Sequence, residues 1–143
     1  MTEKPNILII DDELELRELL RMILKPSYNV FIAEDGYQAL EIIKQVPIDL
    51  ITLDLSMPGL SGINVLKEVR ESNKDIQVIV ITGDGSLGTI TTASQYGVYD
   101  YISKPFTVAD VTMVVQRALD RKRCGTDINK HKLPLLVMGH WER

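Results

Sequence analysis

The chain has 143 residues, 45% of them hydrophobic and 25% charged, which is the composition of one soluble globular domain able to bury a core without disulfides or structural metals. A net charge of −4 argues against a nucleic-acid surface, which would carry a basic excess, and the single cysteine, Cys124, excludes an internal disulfide and fits a reducing compartment. MTEKPN lacks a signal-peptide apolar region and no apolar run reaches the length of a membrane span, so the expectation is a cytoplasmic protein without membrane contact.

Asn6 to Ile10 (NILII) reads as a first strand and ends in Asp11-Asp12. Leu16, Leu19, Leu20, Ile23 and Leu24 recur at helical spacing, predicting a helix from Glu13 to Lys25 that Pro26 stops. Its start is acidic, which suits the positive end of a helix dipole. Val30 to Ala33 is a short second strand, Asp35-Gly36 a turn signal, and Ala39, Leu40, Ile42 and Ile43 mark a second helix closed by Pro47.

The apolar run Leu50, Ile51, Thr52 and Leu53 predicts a third strand, broken off by Asp54 and a loop with Met57, Pro58, Gly59 and Gly62. The third helix uses Ile63, Val65, Leu66 and Val69, with Lys67, Glu68, Arg70 and Glu71 toward water. Gln77 to Ile81 is strand four, before Thr82-Gly83-Asp84-Gly85. Helix four, from Ser86 to Tyr96, is weak on propensity because it holds Gly88, Ile90 and three threonines. Val98 to Ile102 is strand five, before Ser103-Lys104-Pro105. Helix five starts at Thr107, with Asp110 as capping partner and Val111, Val114, Val115, Ala118 and Leu119 as its buried stripe. The triplet Arg121-Lys122-Arg123 reads most simply as cations at a helix C-terminus.

Five strands alternating with five helices predict an α/β fold, a single doubly wound five-stranded parallel sheet covered on both faces. The C-terminal ends of all its strands then share one edge, where ligands bind at the point of strand-order reversal. Asp11, Asp12, Asp54, Thr82 and Lys104 all stand at such ends. If the order is 2-1-3-4-5, strands one and three are neighbours there and the three carboxylates crowd together. Their repulsion calls for a hard divalent cation, and Mg²⁺ takes carboxylates together with phosphate oxygens and water. Lys104 adds a point charge and Thr82 a hydroxyl donor. That set suits an aspartyl phosphate, with Asp54 as nucleophile and Thr82 and Lys104 at the charge of the transferring group.

On Asp11-Asp12 after an apolar strand, Asp54 in DLSMPG with Gly62 beyond, Thr82-Gly83, and Lys104-Pro105 preceded by Tyr101, the chain resembles the receiver domain of bacterial two-component response regulators. The resemblance runs from Lys4 to Arg123 and supplies the flavodoxin-like order 2-1-3-4-5. It implies that Asp54 accepts a phosphoryl group from a phosphohistidine on a sensor histidine kinase. It implies that Asp12, Asp54 and the Ser56 backbone carbonyl bind Mg²⁺, and that Asp11 assists through water. Lys104 would pair with the phosphate across a cis bond to Pro105. Thr82 and Tyr101 would act as the switch, reshaping the face of helix four, strand five and helix five that binds a downstream protein or a second copy. Tyr101 is read equally simply as a half-buried strand aromatic, and Asp84 as either a modulator of phosphate lifetime or a solvated loop acid.

A phosphatase of the haloacid-dehalogenase type would carry its nucleophile in a DxD motif after strand one, where this chain has adjacent acids. A nucleotide or flavin module would want a glycine-rich turn in place of DDELEL. His131 and His140 are poorly placed as phosphodonors. The expected division is a receiver domain over 1–123 and a tail over 124–143 without an output domain, the tail being either a loosely ordered end or a docking segment. The chain is then either a stand-alone receiver acting through protein contacts, without direct nucleic-acid binding, or a piece of a longer regulator.

Overall fold

Consecutive apolar residues on a strand point to opposite sides, so runs such as NILII and LITL need a sheet covered twice. The computed structural model, which describes residues 3–57, 59–73, 75–83 and 87–122, meets that need. In chain order it forms β1 (Asn6–Ile10), α1 (Leu14–Leu24), β2 (Asn29–Ala33), α2 (Gly36–Gln45), β3 (Leu50–Leu53), α3 (Gly62–Ser72), β4 (Gln77–Thr82), α4 (Leu87–Ser94), β5 (Asp100–Ser103) and α5 over 108–122. The strands are all parallel, in the order β2-β1-β3-β4-β5.

Side-chain alternation divides the core into two layers. Leu8, Ile10, Ile51, Leu53, Val78 and Val80 pack against Ala39 of α2, Val65, Leu66 and Val69 of α3 and Ala93 of α4. Ile7, Ile9, Leu50, Ile79 and Ile81 face Leu20 and Leu24 of α1 and Val111, Val115 and Ala118 of α5. Each fully buried aliphatic side chain contributes about 1.5–3 kcal/mol, so the sheet is the stable scaffold on which the loops at its edge are held. None of the described helices is long and apolar enough to cross a membrane.

Several expectations are corrected in detail. Leu19 is 40% exposed, while Arg17 is buried beside Leu20 and Leu24, because position 17 faces the carboxyl edge of the sheet. Arg70 turns inward from the face assigned to water and donates to three backbone carbonyls, Tyr96 at 2.6 Å, Ile76 at 2.6 Å and Gly97 at 2.7 Å. Strand five begins at Asp100 and not Val98, since Gly97 takes φ +81° to bring the chain out of the turn after α4. Asp35 is the N-cap of α2, its carboxylate accepting from the Gln38 N–H at 2.8 Å. At α5 the expected cap is reciprocal: the Asp110 N–H donates to Thr107 Oγ1 at 3.0 Å, and the Thr107 N–H to Asp110 Oδ2 at 3.2 Å.

The weak propensity of α4 has a visible counterpart. Thr92 and Ser94 turn their hydroxyls back onto the carbonyls of Gly88 and Ile90, both at 2.9 Å, a bond that competes with the helix ladder. The expectations for Asp84, Cys124, His131, His140 and the 124–143 tail fall outside the described residues.

Candidate functional site

Strand register carries the charged residues to one place. Ile10 of β1 stands level with Ala33 of β2 and Leu53 of β3. The next residue along continues each ladder: the Asp11 N–H donates to the Ala33 carbonyl at 3.2 Å and the Asp54 N–H to the Ile10 carbonyl at 3.1 Å. At the other side the Lys104 N–H, just past β5, donates to the Thr82 carbonyl at 3.1 Å, and the Lys104-Pro105 bond that follows is cis. Asp11 and Asp54 are thus neighbours across the switch point, with β4 and β5 beside them.

The side chains complete the arrangement. Lys104 Nζ lies 2.9 Å from Asp54 Oδ2, 3.0 Å from Asp11 Oδ2 and 2.9 Å from Glu13 Oε1. Asp54 Oδ1 accepts from Thr82 Oγ1 at 2.9 Å and from both the N–H and the hydroxyl of Ser56 at 3.0 Å. Asp11 Oδ1 accepts from the Glu13 N–H at 2.9 Å, and Arg17 donates to the Asp11 carbonyl at 3.0 Å. Asp11 and Asp54 are almost wholly buried, and Asp12 is exposed at the mouth.

Tyr101 stands apart from this cluster. It is half-buried against the α3-side core, and its hydroxyl meets Ser94 Oγ at 2.6 Å and the Ile90 carbonyl at 3.0 Å, tying β5 to α4.

Of the three carboxylates around the Lys104 ammonium, the two buried ones are shifted in opposite directions. Burial alone raises the Asp54 carboxyl, but the Ser56 N–H, Lys104 and Thr82 together outweigh it and hold the group below the ordinary aspartate range. At Asp11 burial wins over the Glu13 N–H and Lys104, and the charge of Asp54 pushes the same way, so its value is raised. Lys104 loses something to burial, yet Asp54, Glu13 and Asp11 hold its proton well above the ordinary lysine range. Carboxyl ¹³C NMR of the metal-free protein is therefore expected to give Asp11 a higher midpoint than Asp54, and the reverse order would contradict this arrangement. The linked stability follows the same signs. Asp54 favours the folded state above its unfolded value, and that contribution disappears as pH falls through its folded value. Asp11 favours it at acid pH and ceases to do so as pH rises through its folded value.

One carboxylate oxygen from each of Asp11, Asp12 and Asp54 lies within 4.8 Å of the other two. All are hard oxygen donors, and Asp12 remains open to water, the donor set and access that Mg²⁺ requires. The residues present fit such an ion.

Glu13 and Arg17 belong to the site and were not singled out from the sequence. Arg17 had a signal, a cation three residues before Leu20 in the buried stripe of α1. Glu13 had none, because an acid in the first turn of a helix is already accounted for by the dipole.

Comparison with known proteins agrees with this geometry. The profile of the family described as response regulator receiver domain matches residues 7–116. The sporulation initiation phosphotransferase F of Bacillus subtilis is 36% identical over 123 residues, covering 85% of this chain and 98% of that protein. The transcriptional regulatory protein ResD of the same organism is 38% identical, covering 97% of this chain but 59% of its own length. A CheY-like receiver domain protein from Methanospirillum hungatei superposes with a TM-score of 0.82 at 25% identity, covering 85% of this chain and 98% of that one.

Proposed function

Given that the chain belongs to the response regulator receiver domain family, we propose that Asp54 accepts a phosphoryl group from the phosphohistidine of a sensor histidine kinase. The observation that carries this reading is the buried Asp54 carboxylate, met at 2.9 Å by Lys104 and at 2.9 Å by Thr82, with Asp11 and Asp12 beside it. An Asp54 oxygen forms a bond to phosphorus while the phosphorus–nitrogen bond of the donor breaks. Its electron pair leaves with the imidazole nitrogen, which takes up a proton.

Charge on the three equatorial oxygens is met by the Lys104 ammonium and the Thr82 hydroxyl, already held at their positions by β5 and β4. Asp11, Asp12 and Asp54, with the backbone carbonyl of Ser56, would hold Mg²⁺. When bound, that ion neutralises the repulsion between carboxylate and phosphoryl group. Transfer to Asp54 draws Thr82 toward the phosphate, and Tyr101 carries the change to α4 through its bonds to Ser94 and Ile90. The face of α4, β5 and α5 then binds a downstream protein or a second copy. The setting is the cytoplasm, and the domain is a signalling phosphoacceptor that turns over only its own phosphate.

The test is labelling by a small phosphodonor such as acetyl phosphate, with and without Mg²⁺, followed by mass-spectrometric mapping. A single Mg²⁺-dependent phosphoryl group on Asp54 is expected, and Asp54→Asn is expected to abolish it. Labelling elsewhere, or labelling that persists in the variant, would rule the reading out.

A further inference from the structure

An ammonium has three N–H donors; Lys104 donates to Asp54 and to Glu13, both at 2.9 Å, and its charge is also paired with Asp11 at 3.0 Å. A phosphoryl oxygen arriving at Lys104 therefore competes with three carboxylates already gathered round the ammonium. The three carboxylates are not equally free to leave. The side chains of Asp11 and Asp54 are 2% and 3% exposed, and the second oxygen of each is held by a backbone N–H, of Glu13 and Ser56 respectively. Glu13 is 59% exposed and its carboxylate can move into water at little cost. It also stands at the N-cap of α1 without making a side-chain capping bond, so letting go of Lys104 leaves the helix start as it was.

We propose that Glu13 is an internal competitor for Lys104. In the resting state it takes the donor that the incoming phosphoryl oxygen needs, and it swings outward when that oxygen arrives. Glu13 is a positioning residue, acting through Lys104 and not on the transferred group. This rests on the phosphoacceptor reading above and deepens it: the identity of residue 13 sets how readily Asp54 is phosphorylated.

Two variants separate contact from charge. Glu13→Gln removes the charge and the ion pair; Glu13→Asp keeps the charge but, one methylene shorter, loses the reach. Both are surface changes and are expected to fold, which circular dichroism checks. An exposed pair of this kind corresponds to up to about a fivefold effect, so both variants are expected to be labelled by acetyl phosphate about three to five times faster than wild type. That gain is expected to shrink in high salt as the competing ion pair is screened. In the metal-free protein without phosphodonor, the Lys104 ammonium ¹⁵N resonance is expected to shift and its proton exchange to quicken in both variants, a readout independent of activity.

If Glu13→Asp behaves as wild type while Glu13→Gln is faster, general charge and not the contact is responsible, and the proposal is overturned. Equal or slower labelling of both variants, with wild type labelled normally at Asp54, overturns it as well while leaving the phosphoacceptor reading in place. Absence of labelling in wild type removes that reading and this inference together, and an unchanged ammonium resonance removes the contact itself.

Discussion

Gly62→Ala is expected to destabilise the domain by about 2–3 kcal/mol and to slow phosphorylation of Asp54 by displacing it. Gly62 is the first residue of α3, after the N-cap Ser61, whose hydroxyl accepts from the Asn64 N–H at 3.3 Å. A Cβ there would stand 2.6 Å from the Asp54 carbonyl oxygen and 2.6 Å from Leu55 Cα. Both are backbone atoms, so no rotamer change relieves the contact. Either the helix start moves away from the sheet edge, or the turn after β3 shifts and takes the Asp54 side chain off Lys104 and Thr82. Chemical denaturation reads the first effect and Mg²⁺-dependent labelling by acetyl phosphate the second. A variant as stable and as quickly labelled as wild type would show that the approach of helix to strand is not needed.

Arg70→Met is expected to cost about 2–4 kcal/mol, the loss of charge-assisted hydrogen bonds less the guanidinium's own desolvation and the solvent access of one acceptor. The guanidinium ties the end of α3 to the carbonyl of Ile76 and to those of Tyr96 and Gly97 just past α4. Burial is the dominant influence on this group and lowers its affinity for a proton, with Asp75 acting the other way, yet the guanidinium stays charged. Methionine fills much of the same space and restores none of the donors, so those carbonyls lose their partner. The loss is expected to be largest at the α4–β5 connection. Hydrogen exchange should quicken there first, while β1 and β3, held in the middle of the sheet, change only with global stability. Uniform quickening across the sheet, or no change at Tyr96 and Gly97, would contradict this role for Arg70.

These two residues mark the limit of what could be read in the chain. Gly62 was visible as part of a loop pattern, but its contact with the Asp54 backbone is a matter of how closely α3 approaches β3. Arg70 sits in a charged stretch of a helix, and only the turn after α4, 26 and 27 residues further on, reveals its acceptors. Glu13 meets Lys104 across 91 residues of sequence. No local period encodes such a meeting.

What the amino-acid sequence determined by itself was the alternation of elements and the chemistry at their ends. Apolar runs of four to six residues that stop at Asp11, Asp54 and Thr82, and the shorter aromatic-aliphatic pattern before Lys104, are local patterns set by side-chain polarity and β-propensity, and a parallel sheet brings such ends to one edge. Strand order came only from resemblance, since pairing is chosen by packing between distant segments. Tertiary structure alone decided which charges share Lys104, which arginines turn inward and how near a helix may come to the acidic turn. Those outcomes depend on distances of an ångström or less between residues far apart in the chain, and hydrogen bonds and close packing are sensitive on that scale while hydropathy patterns are not.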